Sequence, residues 1–197
     1  MMVRLGMAMA IVAGLSAPAF ASPSLAALKE APALPAWVRF CAKEPAECRI
    51  DPAEPQVVPS TPELLELLNA VNVFVNRTIT PITDLAHRGV VDLWEFPKDQ
   101  MGDCEDFQLL KRRYLAGAGI PRRAMLMTVV LDERGEGHAV LTVRTDKGDL
   151  VLDNKSFAVK GWKETGYAFV KREAETATGW GFLEEVPDRA MVAAVKP

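Results

Sequence analysis

The chain has 197 residues, of which 49% are hydrophobic and 25% charged, with a formal net charge of −3. These are the proportions of an ordinary globular domain with enough apolar residues for one core. The acidic balance excludes a nucleic-acid partner held by bulk charge. The densest basic run, Lys111-Arg112-Arg113, is expected on a water-facing side of a helix.

Residues 1–21 read as an export signal. A short positive start ending at Arg4 precedes an apolar run over 6–15 that is too short to span a bilayer. Ala19-Phe20-Ala21 has the small-x-small form of a cleavage site, which predicts a cut after Ala21. A periplasmic or secreted location follows. Residues 22–36, rich in Ala, Pro and Ser, are expected as a flexible lead-in, and 37–197 as the domain proper. A short helix is expected over 37–50. Export favours a disulfide between Cys41 and Cys48, which leaves Cys104 unpaired. A lone thiol in an exported protein is either a buried apolar residue or a reactive one. The three cysteines contain no C-x-x-C pair, so a structural zinc site has little support.

Four prolines between 51 and 62 predict an extended connection. A helix then starts at Thr61, a good N-cap, with Pro62 and Glu63 in the first turn. Leu64, Leu67, Leu68, Val71 and Val75 recur at helical spacing, so the helix is expected to run to about Asn76. Residues 77–101 read as loop with a helical turn. A second helix is expected from Cys104, with Phe107, Leu110, Tyr114, Leu115 and Ala118 on its apolar face, and Gly117, Gly119 and Pro121 ending it. Beyond it the period changes. Strands are expected over 124–131, 138–145 and 149–153, with two further strand-like runs around 161–171 and 180–184. The fold class is therefore α+β: helices first, then an antiparallel sheet.

The chemistry concentrates in Gly102-Asp103-Cys104-Glu105-Asp106-Phe107. Cys104 in a first helical turn meets free N–H groups and the positive end of the dipole, which favour a thiolate and can bind an oxyanion. Asp103, Glu105 and Asp106 oppose that ionisation. They point away, cap the helix or are neutralised by a cation, and calcium suits such oxygen ligands; on spacing alone, simple capping is the better reading. His138 opens a strand, whereas His87 reads as a surface residue. If Leu141 and Val143 pack on the same core as Leu150 and Leu152, strand parity places His138 and Asp153 on one face. A two-residue turn at Asp146-Lys147 leaves them about two positions short of directly opposite, ~7 Å along the strand. That allows a Cys104-His138-Asp153 triad. A backbone-bonded histidine and a turn-starting aspartate fit the spacing equally well.

Several blocks of the sequence resemble the bacterial transglutaminase-like cysteine proteinases. They are Asp92-x-Trp94-x-x-Pro97, Gly102-Asp103-Cys104-Glu105-Asp106-Phe107, Lys111, Leu115-x-x-x-Gly119-Ile120, His138-Ala139-Val140-Leu141 and Val151-Leu152-Asp153-Asn154. Cys41, Cys48 and the Asn72-x-x-x-Asn76 spacing are also similar. The chain departs from the family in reading Pro97-Lys98-Asp99-Gln100 where Pro-Glu-Thr is common. The resemblance implies a papain/transglutaminase-like fold with the nucleophile helix packed on the sheet, and a thiol protease with catalytic Cys104, His138 and Asp153. It further implies calcium at Asp103 and Glu105, no organic cofactor, and a protein or peptide substrate such as a surface adhesin. A regulatory membrane protein is a further expected partner. Transamidation by the same triad and a non-catalytic binding module on the same fold are the rival readings.

Overall fold

The structure is a computed structural model and describes residues 24–176 and 178–183. The expected signal segment, its cut after Ala21 and the tail from Pro187 lie outside the described residues. Among the described residues no helix is long and apolar enough to cross a membrane.

The helices form where the sequence signals them. Helix α1 (Pro35–Lys43) starts on a first-turn proline and buries Ala36, Trp37 and Phe40. Helix α2 (Pro45–Cys48) follows after one residue, and the Cys41–Cys48 disulfide ties the two together across a Cα–Cα distance of 5.6 Å. The single helix expected over 37–50 is thus a broken pair, because Pro45 lacks the N–H that would continue the first helix. Helix α3 (Pro62–Thr78) is capped by Thr61, whose hydroxyl accepts from Leu64 N at 3.2 Å. It buries Leu64, Leu68, Asn72 and Val75 along one stripe. A short helix α4 (Asp84–Arg88) fills the expected loop, between two-residue strands β2 (Thr80–Pro81) and β3 (Met101–Gly102) that pair in parallel. Helix α5 runs Cys104–Gly117.

The remaining strands are β4 (Met125–Leu131), β5 (Gly137–Thr145), β6 (Gly148–Asp153), β7 (Ser156–Gly161), β8 (Ala168–Glu173) and β9 (Trp180–Leu183). With β1 (Ala27–Ala31) they form one antiparallel sheet in the order β1-β9-β8-β4-β5-β6-β7. Two expectations change. Residues 27–31, read as loose lead-in, are an edge strand on β9. The run around 161–171 divides into β7 and β8 at a 3₁₀ turn over Trp162–Glu164.

The β5–β6 register is the one parity requires. Leu141 faces Leu152, Val143 faces Leu150, and Thr145 pairs with Gly148 across the two-residue turn. Leu141, Val143 and Leu152 join Trp37, Leu68, Leu109 and Leu115 in the main core. Val140 and Val151 point the other way, to a smaller cluster with Val130 and Phe169. Each fully buried side chain of this size contributes about 1.5–3 kcal/mol.

Helix α5 departs from its expected face. Tyr114 is 45% exposed, whereas Lys111 and Arg112 are sealed at 0% and 2%. The reason is a buried acid. Glu173 of β8 accepts from Arg112 at 2.5 Å and from Trp37 Nε1 at 2.6 Å, so Arg112 turns inward. Only Arg113 of the basic run is exposed.

Candidate active site

Gly102 leads into the nucleophile helix because nothing larger fits. A Cβ there would stand 2.6 Å from Asp106 Oδ2. Asp103 occupies the N-cap position with extended backbone, but its side chain makes no cap bond. Its Oδ2 accepts from Asp84 N at 3.4 Å, and its Oδ1 is buried with no partner. The capping expected of Asp103 is absent because the carboxylate turns toward other acids.

Those acids form a cluster. Ligand oxygens of Asp84, Asp103 and Glu105 all lie within 4.8 Å of one another. The β2–β3 pairing carries Asp84 there, with Ile82 N donating to Gly102 O at 2.9 Å. No salt bridge among the described residues reaches any of the three. Burial pushes Asp103 up to about 6 and Asp106 up to about 8, and it also raises Asp84 and Glu105. Hard oxygen donors, an unpartnered buried carboxylate oxygen and uncompensated negative charge are what a divalent cation such as calcium needs. The residues present fit one.

Cys104, the one unpaired cysteine, is partly buried. Its Sγ accepts from Ala139 N at 3.4 Å and lies 3.1 Å from Glu105 Oε2. Burial raises the thiol above its ordinary value, and the Glu105 and Asp103 carboxylates add to the effect. The acidic neighbours do not point away, and they add to burial in opposing its ionisation.

The other half of the site is tightly organised. His138 Nε2 and Asp153 Oδ1 are 2.8 Å apart, bridging two positions diagonally between β5 and β6. Asp153 Oδ2 accepts from Tyr167 OH at 2.6 Å, and Oδ1 from Lys155 N at 3.0 Å. The Tyr167 ring stands edge-on to the imidazole with centroids 5.8 Å apart. Burial alone would raise Asp153, but the bond and charge of His138, then Tyr167 and Lys155, outweigh it and hold the acid at about 2. His87 pairs with Asp99 at 3.0 Å, outside this arrangement.

Cys104 and His138 line one cleft of about 720 Å³. Pro32–Pro35, Val90, Val91 and Trp94 supply its apolar walls, and Asp103 and Glu105 also face it. The structure thus gathers Cys104 with Asp103 and Glu105, sets His138 in the same cleft, and bonds His138 to Asp153. Sequence reasoning missed Asp84 as a cluster member and Tyr167 as a partner of Asp153. No motif marks either; both depend on pairings distant in sequence.

A thiol at a helix start, over an antiparallel sheet that presents a histidine–carboxylate pair, is the arrangement expected of a thiol enzyme of the transglutaminase-like fold. The model of the bacterial transglutaminase-like cysteine proteinases matches residues 27–186, and the chain belongs to that family. Among solved structures it is similar to Legionella pneumophila LapG, at 23% identity over 68% of this chain and 74% of that one, with a TM-score of 0.53. The calcium-bound form of LapG matches at 23% identity over 66% and 74% (TM-score 0.54), and the EGTA-treated form at 25% over 63% and 69% (TM-score 0.52). No curated protein matches.

Proposed function

We propose that this is an exported protease in which Cys104 attacks a peptide carbonyl, His138 is the base and acid, and Asp153 orients it. The observation that carries the reading is the 2.8 Å His138–Asp153 bond at the edge of the cleft that holds the only free thiol. Because Asp153 engages Nε2, Nδ1 is the ring nitrogen left to exchange a proton with Sγ. The thiolate adds to the carbonyl carbon, and the first-turn N–H groups of α5, which lack intrahelical partners, stabilise the oxyanion. His138 then protonates the leaving amine, and water hydrolyses the thioester to release the acid and restore the thiol.

Asp84, Asp103 and Glu105 would hold calcium. A bound dication supplies positive charge beside the thiol and reverses the field that now opposes its ionisation. The similar LapG has a calcium-bound form, which supports the assignment. The substrate is a protein with an extended segment that fits the apolar cleft, and the family resemblance favours a cell-surface adhesin. Residues 1–21 direct the chain to the periplasm in this reading.

The test compares wild type with Cys104→Ala on the host's surface-protein fraction, with calcium and with chelator. Cleavage is expected only from wild type with calcium, and the alanine variant should lose at least ~10³-fold of the rate. Cleavage by Cys104→Ala would remove the mechanism. Full activity in chelator would remove calcium and leave the triad.

A further inference from the structure

The far end of the cleft is built on two consecutive residues of β8. Alternate side chains of a strand face opposite sides of the sheet, so Lys171 and Arg172 point apart. Lys171 pairs with Val129 of β4, and Val129 with Ala139 of β5, so these three lie in one row on one face. All three line the cleft. Ala139 N donates to Cys104 Sγ at 3.4 Å, which puts the thiol over one end of the row. Lys171 stands two strands away, ~10 Å from that end.

Both of these cations hold the N-terminal segment. On the face away from the cleft, Arg172 Nη2 donates to Leu25 O at 2.7 Å. Asp149, which accepts from Arg172 at 3.0 Å, also accepts from Leu25 N at 3.0 Å. On the cleft face, Lys171 Nζ donates to Pro32 O at 2.9 Å. Between the two anchors β1 runs along β9. The chain then continues through Pro32–Pro35, an apolar wall of the cleft. Across the cleft, the segment that carries Val90 and Val91 is tied to α1, where Arg39 Nη2 donates to Asp92 O at 3.0 Å.

Pro32 is exposed, and Ala33 and Leu34 are only partly buried against the core, so packing holds this wall loosely. Lys171 is buried, and among the described residues no salt bridge reaches it. Pro32 O is its one hydrogen-bond acceptor among them. A buried ammonium without a carboxylate is costly, and an apolar side chain fills such a space without that cost. The contact with the wall accounts for the lysine. An extended peptide advances ~3.3 Å per residue, so ~10 Å from the thiol is about three residues along a substrate. We propose that Lys171 is a positioning residue: it fixes Pro32 as the far wall of the cleft and so selects the apolar side chain that a substrate presents about three residues from the scissile bond. The inference rests on the protease reading above.

The test uses Lys171→Met, Lys171→Arg and Pro32→Gly. It reads the rate of Cys104 labelling by epoxysuccinyl peptides, by mass spectrometry, at one pH and with calcium. Cys104 is the only one of three cysteines outside the disulfide, so the label reports one site. The reagents carry either one apolar residue or four, extended in either direction from the epoxide so that both sides of the thiol are probed. On one side the four-residue reagent should label wild type faster than the one-residue reagent. Lys171→Met should lower that advantage ~10-fold, with the one-residue rate unchanged. Lys171→Arg keeps a donor and should recover part of it. Pro32→Gly loosens the wall from its exposed side and should lose it likewise.

The one-residue reagent supplies the control, because a change at the thiol or in the fold slows both reagents alike. An equal loss with both reagents therefore overturns the inference. So does an advantage that survives in Lys171→Met and in Pro32→Gly. If Lys171→Met does not fold, Pro32→Gly decides the question alone. In each of these cases wild type still prefers the longer reagent, and the protease reading stands. If wild type prefers it on neither side, the cleft takes no extended peptide, and the protease reading falls with the inference.

Discussion

The two halves of the site use the same functional group in opposite conditions. At the sheet end Asp153 is almost fully buried, yet it is held at about 2 because His138, Tyr167 and Lys155 N outweigh the burial. At the helix end Asp103 is half-buried beside Asp84 and Glu105, no salt bridge among the described residues offsets its burial, and it rises to about 6. Burial raises both carboxylates, and the donors around each decide whether that rise is offset. The chain completes one half of the site by itself. In the proposed reading calcium would complete the other half, whose carboxylates and burial alone disfavour the thiolate.

Breaking the completed half should produce the largest effect. Asp153→Asn keeps the shape but removes the charge that fixes the imidazole tautomer and stabilises the imidazolium. A fall of ~10³–10⁴ in kcat with little change in KM is expected from the triad chemistry. Steady-state kinetics on the cleaved substrate measures it, and a loss below tenfold would mean that His138 is oriented by something else. The same acid sets a pH window. Its folded pKa lies below the ordinary 3.8, so the bound carboxylate stabilises the fold above pH 4, by roughly 2 kcal/mol. That contribution is lost as pH falls through about 2. Urea unfolding of wild type and Asp153→Asn between pH 5 and 2 should converge.

The unfinished half should respond to pH with the opposite sign. Asp103 and Asp106, raised to about 6 and about 8, hold protons that the unfolded chain has released. The folded state then binds more protons than the unfolded one, so without a cation stability falls as pH rises from 4 to 8. Calcium bound as proposed would replace the proton on Asp103 and favour its ionised form. At a hundredfold excess over its dissociation constant it adds about 2.7 kcal/mol, or ~5–10 °C in Tm for a chain of this length. Differential scanning at pH 5 and pH 8, with calcium and with EGTA, reads both effects. The calcium-induced rise should be larger at pH 8. An EGTA-treated protein more stable at pH 8 than at pH 5 would contradict the comparison between the two halves.

The completed half was also the more legible in the sequence. Strand parity depends on the alternation of Leu141, Val143, Leu150 and Leu152, and alternation is written residue by residue. Once the two-residue turn is placed, His138 and Asp153 follow. Cys104 at a helix start was legible for the same local reason. The acidic cluster was not, because Asp84 arrives through two hydrogen-bonded residue pairs of β2 and β3, too short to leave a periodic trace. The inward turn of Arg112 was hidden likewise. A Lys-Arg-Arg run reads as solvated until Glu173, far along the chain, supplies a buried partner. The edge strand at 27–31 was missed because its Ala-rich sequence has low β-propensity and its pairing with β9 makes the strand.

The smallest effect should come from Tyr167→Phe, and it tests whether Asp153 is held redundantly. The substitution removes the 2.6 Å bond to Oδ2 but leaves the ring free to remain edge-on to His138. A hydrogen bond to a charged acceptor contributes about 1.5–3 kcal/mol. His138 and Lys155 N still engage Oδ1, so Asp153 rises from about 2 but stays ionised at neutral pH. The stability loss at pH 7 should be ~1–2 kcal/mol, shrinking as pH falls toward 2, where the wild-type carboxylate also protonates. Turnover should drop ~2–10-fold with KM unchanged, because the imidazole keeps its partner and loses only part of its stiffness. If Tyr167→Phe instead costs as much as Asp153→Asn, the carboxylate depends on a single donor. The sheet end would then be as incomplete in its own way as the acidic end is without its cation.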